Sequence, residues 1–462
     1  MRIRLFVKNA ATILSAVALF TACEKEKSPE KETLPLQLLS VRPMPGEELS
    51  PGAVEATFEF NQPVDIIDAQ KITLNGKPVD KAYSVLQYVK TDVHVEGSST
   101  YMLAIGAGAV AAHASGETNA AAFTTEFSVS GTTARSAEAE KLLKYLRDNV
   151  GVKMLSGVSA CINWNQNEAE WVRKHTGKYP AINGFDYIHH VYSTPGGWID
   201  YSNITPAKSW ADNNGVVAAM WHWGMRTNDG STFTCTPGSA PGETGFHPSS
   251  IFDPDSEGYK QMIHDIDQIA GWMKPLAELR IPILWRPLHE AQGNWNEAFG
   301  GTSWYKAWFW WGIDGPEACA ELWRVMYKRM VEYHGLNNLI WVYNTGDSMQ
   351  WYPGDEYVDI VAYDFYNQSM DNMKKLYDMM KTMFPHKLLA VSEFGNMPKI
   401  SEQWKAGLHW SYFMPWWDNA RTDNMNSEAF NSRAHNNADI DWWEDALNCD
   451  FIVTRDQLPS FR

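Results

Sequence analysis

Residues 1–163 contain no tryptophan, although the chain of 462 residues has 22, all of them between Trp164 and Trp443. Basic residues are scarce as well, since 39 lysines and arginines face 55 aspartates and glutamates, a net charge of −16. This balance leaves no basic stripe to neutralise phosphates, so nucleic acid is excluded as an expected partner. No GxGxxG, GxSxG or HExxH motif occurs, which argues against dinucleotide binding, an esterase elbow and a zinc-protease helix. The uneven tryptophan content predicts two joined parts, and aromatic residues with negative charge favour a neutral, ring-shaped ligand.

The amino terminus has the pattern of a bacterial export signal. Arg2, Arg4 and Lys8 precede the uncharged residues 9–22, a stretch too short to span a bilayer. It ends in Leu-Phe-Thr-Ala before Cys23, which resembles a lipobox, and the charged residues that follow resemble the surface-export signal of Bacteroidetes lipoproteins. We therefore expect lipidation of Cys23 and anchoring at the outer membrane, on the cell surface or the periplasmic face. The alternative is an ordinary signal peptide with an incidental cysteine.

The composition divides the chain into four segments. They are a signal peptide at residues 1–22, a charged tether at residues 23–37, a β-sandwich at residues 38–131 and a larger domain at residues 136–462. Short alternating runs and an Asn75-Gly76 hairpin turn predict the sandwich, whose later part resembles immunoglobulin-like modules. Because this segment has no tryptophan to stack on sugar rings, we interpret it as a spacer rather than a binding module.

Apolar strands alternate with helical patterns through the larger domain. The predicted strands are residues 154–160, 181–188, 216–223, 283–289, 339–343, 360–366, 388–394 and 410–416, and the clearest helices are residues 136–150, 257–273 and 317–333. Eight such repeats predict a (β/α)8 TIM barrel, an α/β fold. A doubly wound open sheet is the rival, but no nucleotide-binding loop follows any strand.

Two carboxylates stand at the carboxyl ends of predicted strands. Glu290 follows the fourth strand and Glu393 ends the seventh. Barrel enzymes carry their reactive groups on this rim, and glycoside hydrolysis with retention needs a carboxyl pair about 5 to 5.5 Å apart. Two carboxylates at the carboxyl ends of two strands therefore indicate a catalytic pair rather than charged loop residues exposed to solvent. Arg286, four residues before Glu290, is placed to add positive potential.

The segments 285–290, 360–366 and 392–395 resemble the signature of glycoside hydrolase family 26, a clan A family best known for endo-β-mannanases. The resemblance covers residues 136–462 and implies a barrel with Glu290 as acid/base and Glu393 as nucleophile. It also implies that Tyr366 holds the nucleophile and that His289 contacts the sugar beside the cleaved bond.

Further residues are candidates for sugar contact, because aromatic rings match the apolar faces of pyranoses. The resemblance places Trp295 on the leaving-group side, Trp416 beneath the sugar before the cleaved bond, and Trp221 with His222 at the end of the third strand. Strand alternation lets only one of Trp416 and Trp417 point inward, and we select Trp416. Each tryptophan could instead serve core packing.

The sequence therefore predicts a secreted, monomeric endo-β-1,4-mannanase that cleaves mannan, glucomannan or galactomannan with retention. No cofactor and no metal is implied. An alternative is a retaining endo-glycosidase acting on mixed-linkage β-glucan or β-1,3-xylan, since the family also resembles such enzymes. An alternative from another class is a mannan-binding protein without turnover, which the presence of both carboxylates and Tyr366 disfavours.

Overall fold

The structure is a computed structural model that describes residues 35–49, 51–95, 99–129, 135–161, 164–293, 307–418 and 424–462. The predicted signal peptide, Cys23 and Trp295 lie outside these residues. None of the helices in the described part of the chain is long and apolar enough to cross a membrane.

The amino-terminal region is all β. Its strands are β1 (Leu38–Arg42), β2 (Glu48–Leu49), β3 (Gly52–Phe60), β4 (Val64–Ile66), β5 (Ile72–Leu74), β6 (Lys77–Pro78), β7 (Ala82–Val85), β8 (Tyr88–Val95), β9 (Ser99–Ile105), β10 (Val110–Ala112) and β11 (Phe123–Val129). They form sheets in the orders β1-β3-β8-β7 and β2-β11-β9-β5-β6, with β10 and β4 paired separately. Asn75 and Gly76 make the turn between β5 and β6 with φ of 49° and 79°, values that suit a hairpin turn of type I′. One apolar core lies between the sheets.

The remainder is a closed barrel of eight parallel strands, as predicted. The strands of this part are β12 (Met154–Ser159), β13 (Ile182–Asp186), β14 (Val216–Met220), β15 (Met225–Arg226), β16 (Phe233–Thr234), β17 (Ile283–Arg286), β18 (Leu339–Asn344), β19 (Ile360–Tyr366), β20 (Leu388–Gly395), β21 (Tyr412–Phe413) and β22 (Ile452–Val453). The order β13-β14-β17-β18-β19-β20-β21-β12 closes through pairing of β12 with β13. β15 and β16 form a hairpin after β14, and β22 adds to β12.

Helices surround the barrel. They are α1 (Ala137–Asp148), α2 (Asn167–Thr176), α3 (Thr205–Asp212), α4 (Glu257–Glu278), α5 (Pro316–Tyr327), α6 (Met370–Met383), α7 (Ile400–Lys405), α8 (Glu428–Asn431) and α9 (Ile440–Leu447). Ser136 caps α1 and Ser256 caps α4 by accepting a backbone N–H, as serine commonly does at this position. Apolar side chains that alternate along each barrel strand pack into two separate clusters. One cluster includes the buried face of α1, and the other includes the buried faces of most other helices.

The predicted strands are all present, but several end earlier than their apolar pattern. β14 stops at Met220 and β17 at Arg286, and the eighth strand, β21, contains only Tyr412 and Phe413. The apolar and aromatic residues beyond these ends belong to loops on the carboxyl rim. Their hydrophobicity therefore reflects packing around the barrel mouth rather than strand pairing.

Candidate active site

The two predicted carboxylates meet at the barrel mouth. Glu290 lies in the loop after β17, and Glu393 lies near the end of β20. One side-chain oxygen from each of Glu290, Asp364 and Glu393 lies within 4.8 Å of the other two. Oxygens this close fit the carboxyl separation of about 5 to 5.5 Å used by retaining glycosidases better than the separation of about 6.5 to 9.5 Å in inverting enzymes.

Glu393 is buried and held by two donors. Arg286, at the end of β17, donates from one terminal nitrogen to Oε1 of Glu393. Tyr366, at the end of β19, donates its hydroxyl to Oε2 at 2.8 Å. Charge-assisted hydrogen bonds of this kind stabilise an ionised carboxylate and fix its orientation. Burial and the negative charges of Glu393 and Asp364 raise the pKa of Tyr366, so this hydroxyl remains a donor at neutral pH.

A β-bulge sets the position of Glu393. The register between β19 and β20 shifts after Tyr363, so that Asp364 pairs with Glu393 and Ser392 is the extra residue. Such bulges redirect side chains beside active sites. Gly395 follows, and a Cβ atom there would lie 2.8 Å from the ring of Tyr366 and 2.5 Å from Oδ1 of Asn437. The glycine therefore gives the tyrosine ring the room it needs to reach Glu393.

Asp364 is a second buried carboxyl group beside the pair. Its Oδ2 accepts a hydrogen bond from Arg286 at 2.9 Å, and its Oδ1 accepts one from the hydroxyl of Ser392 at 2.6 Å. Burial raises the pKa of Asp364, Arg286 opposes this effect, and the charge of Glu393 adds to it. Arg286 thus bridges two carboxyl groups, and its own pKa is raised because their attraction outweighs its burial.

Glu290 occupies a constrained backbone position. Its φ is 51°, in the left-handed region that costs a non-glycine residue about 1 to 2 kcal/mol, and Leu288 has a φ of 47°. The side chain of Asn344, at the end of β18, compensates by accepting the backbone N–H of Glu290 at 2.7 Å. Burial raises the pKa of Glu290 well above its ordinary value of 4.5, and the charges of Asp364 and Glu393 raise it further. The site therefore favours a protonated Glu290.

Two histidines lie beside the carboxylates in a hydrogen-bonded chain. Asp186, the last residue of β13, accepts the Nδ1–H of His222 at 2.6 Å, and Nε2 of His222 is 3.0 Å from Nε2 of His289. Burial lowers the pKa of His222, but Asp186 raises it more, so the net shift is upward. Burial and the charges of His222 and Arg286 hold the pKa of His289 well below its usual range. His289 is accordingly neutral and, when His222 is protonated, accepts its Nε2–H.

Aromatic rings border these histidines. Trp416 is half-buried, and its ring centroid lies 5.6 Å from that of His222. Phe309 contacts both histidines, at 5.6 Å from His222 and 5.2 Å from His289. The indole N–H of Trp311 donates to the backbone oxygen of His289 at 2.9 Å, which fixes the residue before Glu290.

The structure does not place every predicted residue at the mouth. Trp221 is only 1% exposed, stacks on Trp223 at 4.0 Å and donates its indole N–H to His190. The side chain of Trp221 is thus buried in this structure, and its contact with substrate stays a prediction. The sequence predicts that Arg286 adds positive potential, and in the structure its buried guanidinium bonds to Asp364 and Glu393. The predicted role of Trp295 falls outside the described residues.

Sequence reasoning missed four polar residues of this network, namely Asp186, Asn344, Asp364 and Ser392. Each lies at or near the carboxyl end of a barrel strand. A polar residue closing an apolar run at this end of a barrel is the signal that could have revealed them. Their partners could not be read in the same way, since each hydrogen bond joins residues from different strands.

The arrangement provides a proton donor, Glu290, beside a carboxylate held by hydrogen bonds, Glu393. Among the described residues, Glu290, Asp364 and Glu393 are the one group of three side chains whose ligand atoms are close enough to hold a metal ion. Arg286 already places a positive charge against two of them. The pair of a protonated Glu290 and a hydrogen-bonded Glu393 suits proton donation and nucleophilic attack on opposite sides of one bond.

The sequence profile of Glycosyl hydrolase family 26 matches residues 132–438. A mannan endo-1,4-β-mannosidase from Thermothelomyces thermophilus is 31% identical over 332 residues, which are 71% of this chain and 62% of the relative. Mannan endo-1,4-β-mannosidase A from Piromyces sp is 32% identical over 340 residues, which are 70% of this chain and 49% of that relative. The chain thus spans less than two thirds of the length of these relatives.

Solved structures give the same likeness. The family 26 domain of an endo-β-mannanase/endo-β-glucanase from Prevotella bryantii matches with a TM-score of 0.61 at 33% identity, covering 70% of this chain and 97% of that chain. A β-mannanase from a symbiotic protist of the termite Reticulitermes speratus, solved with a gluco-manno-oligosaccharide, matches with a TM-score of 0.59 at 27% identity. That match covers 71% of this chain and 96% of the other.

Proposed function

Because the chain belongs to Glycosyl hydrolase family 26, we propose that it is an endo-β-1,4-mannanase that hydrolyses mannan, glucomannan or galactomannan with retention of configuration. The observation that carries the proposal is the carboxylate pair. Glu290 and Glu393 place oxygens within 4.8 Å of each other, and only Glu393 is held by an arginine and a tyrosine.

In the first step, protonated Glu290 gives its proton to the glycosidic oxygen while an oxygen of Glu393 attacks the anomeric carbon. The bond to the leaving sugar breaks, and a glycosyl ester forms on Glu393. The raised pKa of Glu290 supplies the acid form at neutral pH. The hydrogen bonds from Arg286 and Tyr366 aim the nucleophile and then stabilise its charge when it leaves.

In the second step, ionised Glu290 accepts a proton from water as the water oxygen attacks the anomeric carbon. Glu393 leaves as a carboxylate, and Glu290 regains its proton for the next cycle. We assign sugar contact beside the cleaved bond to His222, His289 and Trp416, which lie together at the mouth. We retain Trp295 as a candidate on the leaving-group side.

The choice of β-mannan rests on the relatives, whose names specify mannan endo-1,4-β-mannosidase activity. Release of reducing sugar from glucomannan, lichenan and β-1,3-xylan by the native protein and by Glu393→Ala tests it. We expect release from glucomannan by the native protein alone. Release from lichenan or β-1,3-xylan alone would show that the substrate is another glycan. Binding of mannan without release of sugar would show that the protein binds mannan but does not cleave it.

Two measurements test the mechanism. The first product anomer, followed by NMR, should keep the β configuration, and an α product would refute retention. Glu290→Ala should slow cleavage of mannan by orders of magnitude, while azide should partly restore turnover of an aryl mannobioside. Azide can attack the glycosyl ester on Glu393 without a general base, so a β-mannosyl azide is the expected product.

We also propose that the protein is exported and lipid-anchored through Cys23, with residues 38–131 as a spacer between membrane and barrel. The support is the basic start, the uncharged residues 9–22 and the lipobox-like sequence before Cys23. Cell fractionation and labelling with a fatty-acid analogue should place the native protein in the outer membrane with label. Cys23→Ser should lose both, and an unlabelled native protein would contradict anchoring.

A further inference from the structure

An exposed aromatic surface lies on the same rim of the barrel as the carboxylates. The loop of residues 187–204 leaves the carboxyl end of β13, and its Trp198 is 66% exposed while Tyr192 is 39% exposed. Trp198 and Tyr192 together form an exposed aromatic patch on a functional rim, and such patches commonly mark binding sites. We propose that this surface is a distal subsite that stacks on a pyranose ring of the polysaccharide. The proposal rests on the proposed function.

The surface consists of four rings, and we call His189, Tyr192, Trp198 and Phe233 the aromatic platform. The ring of Trp198 lies 5.0 Å from that of His189 and 6.3 Å from that of Tyr192. Tyr192 in turn meets Phe233 of β16 at 5.8 Å, with the two rings nearly perpendicular. The platform thus joins the loop after β13 to the hairpin after β14, and its rings support one another by edge contacts.

The loop is held in one shape by its own hydrogen bonds. The backbone N–H of Thr194 donates to the oxygen of Ile199 at 3.2 Å, and that of Gly197 donates to the oxygen of Thr194 at 2.9 Å. The N–H of Gly196 donates to Oδ2 of Asp200 at 2.8 Å. A Cβ atom at Gly197 would lie 2.4 Å from Oγ1 and 3.1 Å from the backbone oxygen of Thr194, so the turn that presents Trp198 favours glycine here. A ring presented on a closed loop loses little conformational entropy on binding.

The loop is also tied to the catalytic network. The hydroxyl of Tyr201 donates to the backbone oxygen of Asp186 at 2.8 Å and accepts the N–H of His189 at 3.1 Å. The carboxylate of Asp186 binds His222, which neighbours His289 and the loop of Glu290. The platform loop is therefore anchored to Asp186, the same residue that orients His222 beside the carboxylates.

The chemistry of the platform favours a neutral sugar over other occupants. Its two exposed rings offer flat apolar surface, and the hydroxyl of Tyr192, paired with that of Thr232, adds hydrogen-bonding capacity at the edge. Two exposed side chains are a small surface compared with about 800 Å² per partner in a stable protein interface. A pyranose ring has a comparable size and presents alternating apolar faces and hydroxyls. The occupant that fits this surface is therefore one sugar unit of the polysaccharide.

The test compares long and short substrates. We expect Trp198→Ala to lower the ratio of kcat/KM on polymeric mannan to kcat/KM on mannotriose by about fivefold to tenfold, the range of one aromatic stacking contact. Trp198→Phe, which keeps a flat ring, should retain most of the ratio. Phe252→Ala removes a ring that is 52% exposed outside the platform and is the matched control. An unchanged ratio, or an equal fall for Phe252→Ala, would overturn the proposal.

A binding measurement separates this proposal from the proposed function. Affinity electrophoresis of Glu393→Ala in gels containing glucomannan reports binding without cleavage. Adding Trp198→Ala to this variant should weaken retardation about fivefold, and an unaltered retardation would overturn the distal subsite even for an active enzyme. If the native protein cleaves no mannan while Trp198 still governs retardation, the platform stands as a binding site and the proposed activity fails.

Discussion

The carboxylate of Asp186 accepts both the backbone N–H of His222, at 3.1 Å, and its Nδ1–H, at 2.6 Å. Two bonds from one residue fix the rotamer and the tautomer of His222 together. His222 Nε2 is thereby aimed at His289, the residue before Glu290. Asp186 touches neither catalytic carboxylate, so we regard it as a positioning residue.

Asp186→Asn should lower kcat/KM about 10- to 100-fold, the effect of losing a hydrogen bond to a charged group. The pKa of His222 should fall, because the attraction of Asp186 no longer offsets burial. Histidine NMR should then show a lower titration midpoint and a mixture of tautomers. Asp65→Asn alters an exposed Asp–His pair with His113 and should change neither quantity. An unshifted midpoint for His222 would contradict the positioning role.

The same pair predicts a pH dependence of stability. Since the folded-state pKa of His222 is raised above 6.5, its stabilising effect is complete below that pH and is lost as pH rises through the folded-state pKa. Chemical denaturation at several pH values should show the native protein losing its advantage over His222→Gln as pH rises. A difference that grows with pH would reverse the sign and refute the assignment.

Glu290 should act in the opposite sense to most carboxyl groups. Its pKa is raised above 4.5 on folding, so above that pH the folded state binds more protons than the unfolded state and stability falls as pH rises. Glu290→Gln removes this titrating group. As pH rises, the free energy of unfolding of the variant should increase relative to that of the native protein by at most about 1.4 kcal/mol per pH unit. Glu257→Gln, a change at a side chain 91% exposed, is the control for denaturation curves.

Tyr366→Phe should reduce kcat about 10- to 100-fold, because one hydrogen bond to the nucleophile is lost while the aromatic ring remains. Tyr88→Phe breaks a similar bond to Glu59 in the all-β region and should leave kcat unchanged. Burst kinetics with an aryl mannobioside can show whether formation of the glycosyl ester is the slowed step. Equal rates for native and Tyr366→Phe would remove the hydroxyl from the mechanism.

Arg286→Met should destabilise the barrel by about 3 to 5 kcal/mol at neutral pH, because it leaves buried carboxylates without their countercharge. The loss should shrink in acid, where Asp364 becomes protonated. Arg433→Met is the matched control, since Arg433 also bridges two carboxylates, Asp441 and Glu444, but at the surface. This substitution should leave the midpoint of urea denaturation nearly unchanged, because solvent screens a surface ion pair.

The sequence located the barrel because buried parallel strands carry continuous apolar runs, as Val216–Met220 and Leu388–Gly395 do. It placed Glu290 and Glu393 on one rim for the same reason. The sequence does not predict which tryptophans lie at the mouth and which are buried. Trp221 and Trp416 both follow apolar strands, yet one stacks in the core and the other borders the mouth. Composition and period do not distinguish these outcomes.

The sequence pattern does not predict the hydrogen-bond partners of the site residues either. Asp364 and Ser392 stand in the motifs on which the family resemblance rests, but their bond depends on a bulge between β19 and β20. Asn344 supports Glu290 only because the loop after β17 turns back with positive φ. Neither feature is encoded by local propensity, since both depend on how separate strands align.

The sequence by itself determined the fold class, the rim and the two carboxylates, because strand period and chain order fix which end of a parallel strand a residue occupies. Only the tertiary structure decided which carboxyl group has a raised pKa and which aromatic ring is exposed. The pKa of Glu290 depends on its burial and on its distances from Asp364, Arg286 and Glu393. The exposure of Trp198 depends on the closed loop after β13. Both are properties of residues far apart in the chain, and folding alone brings them together.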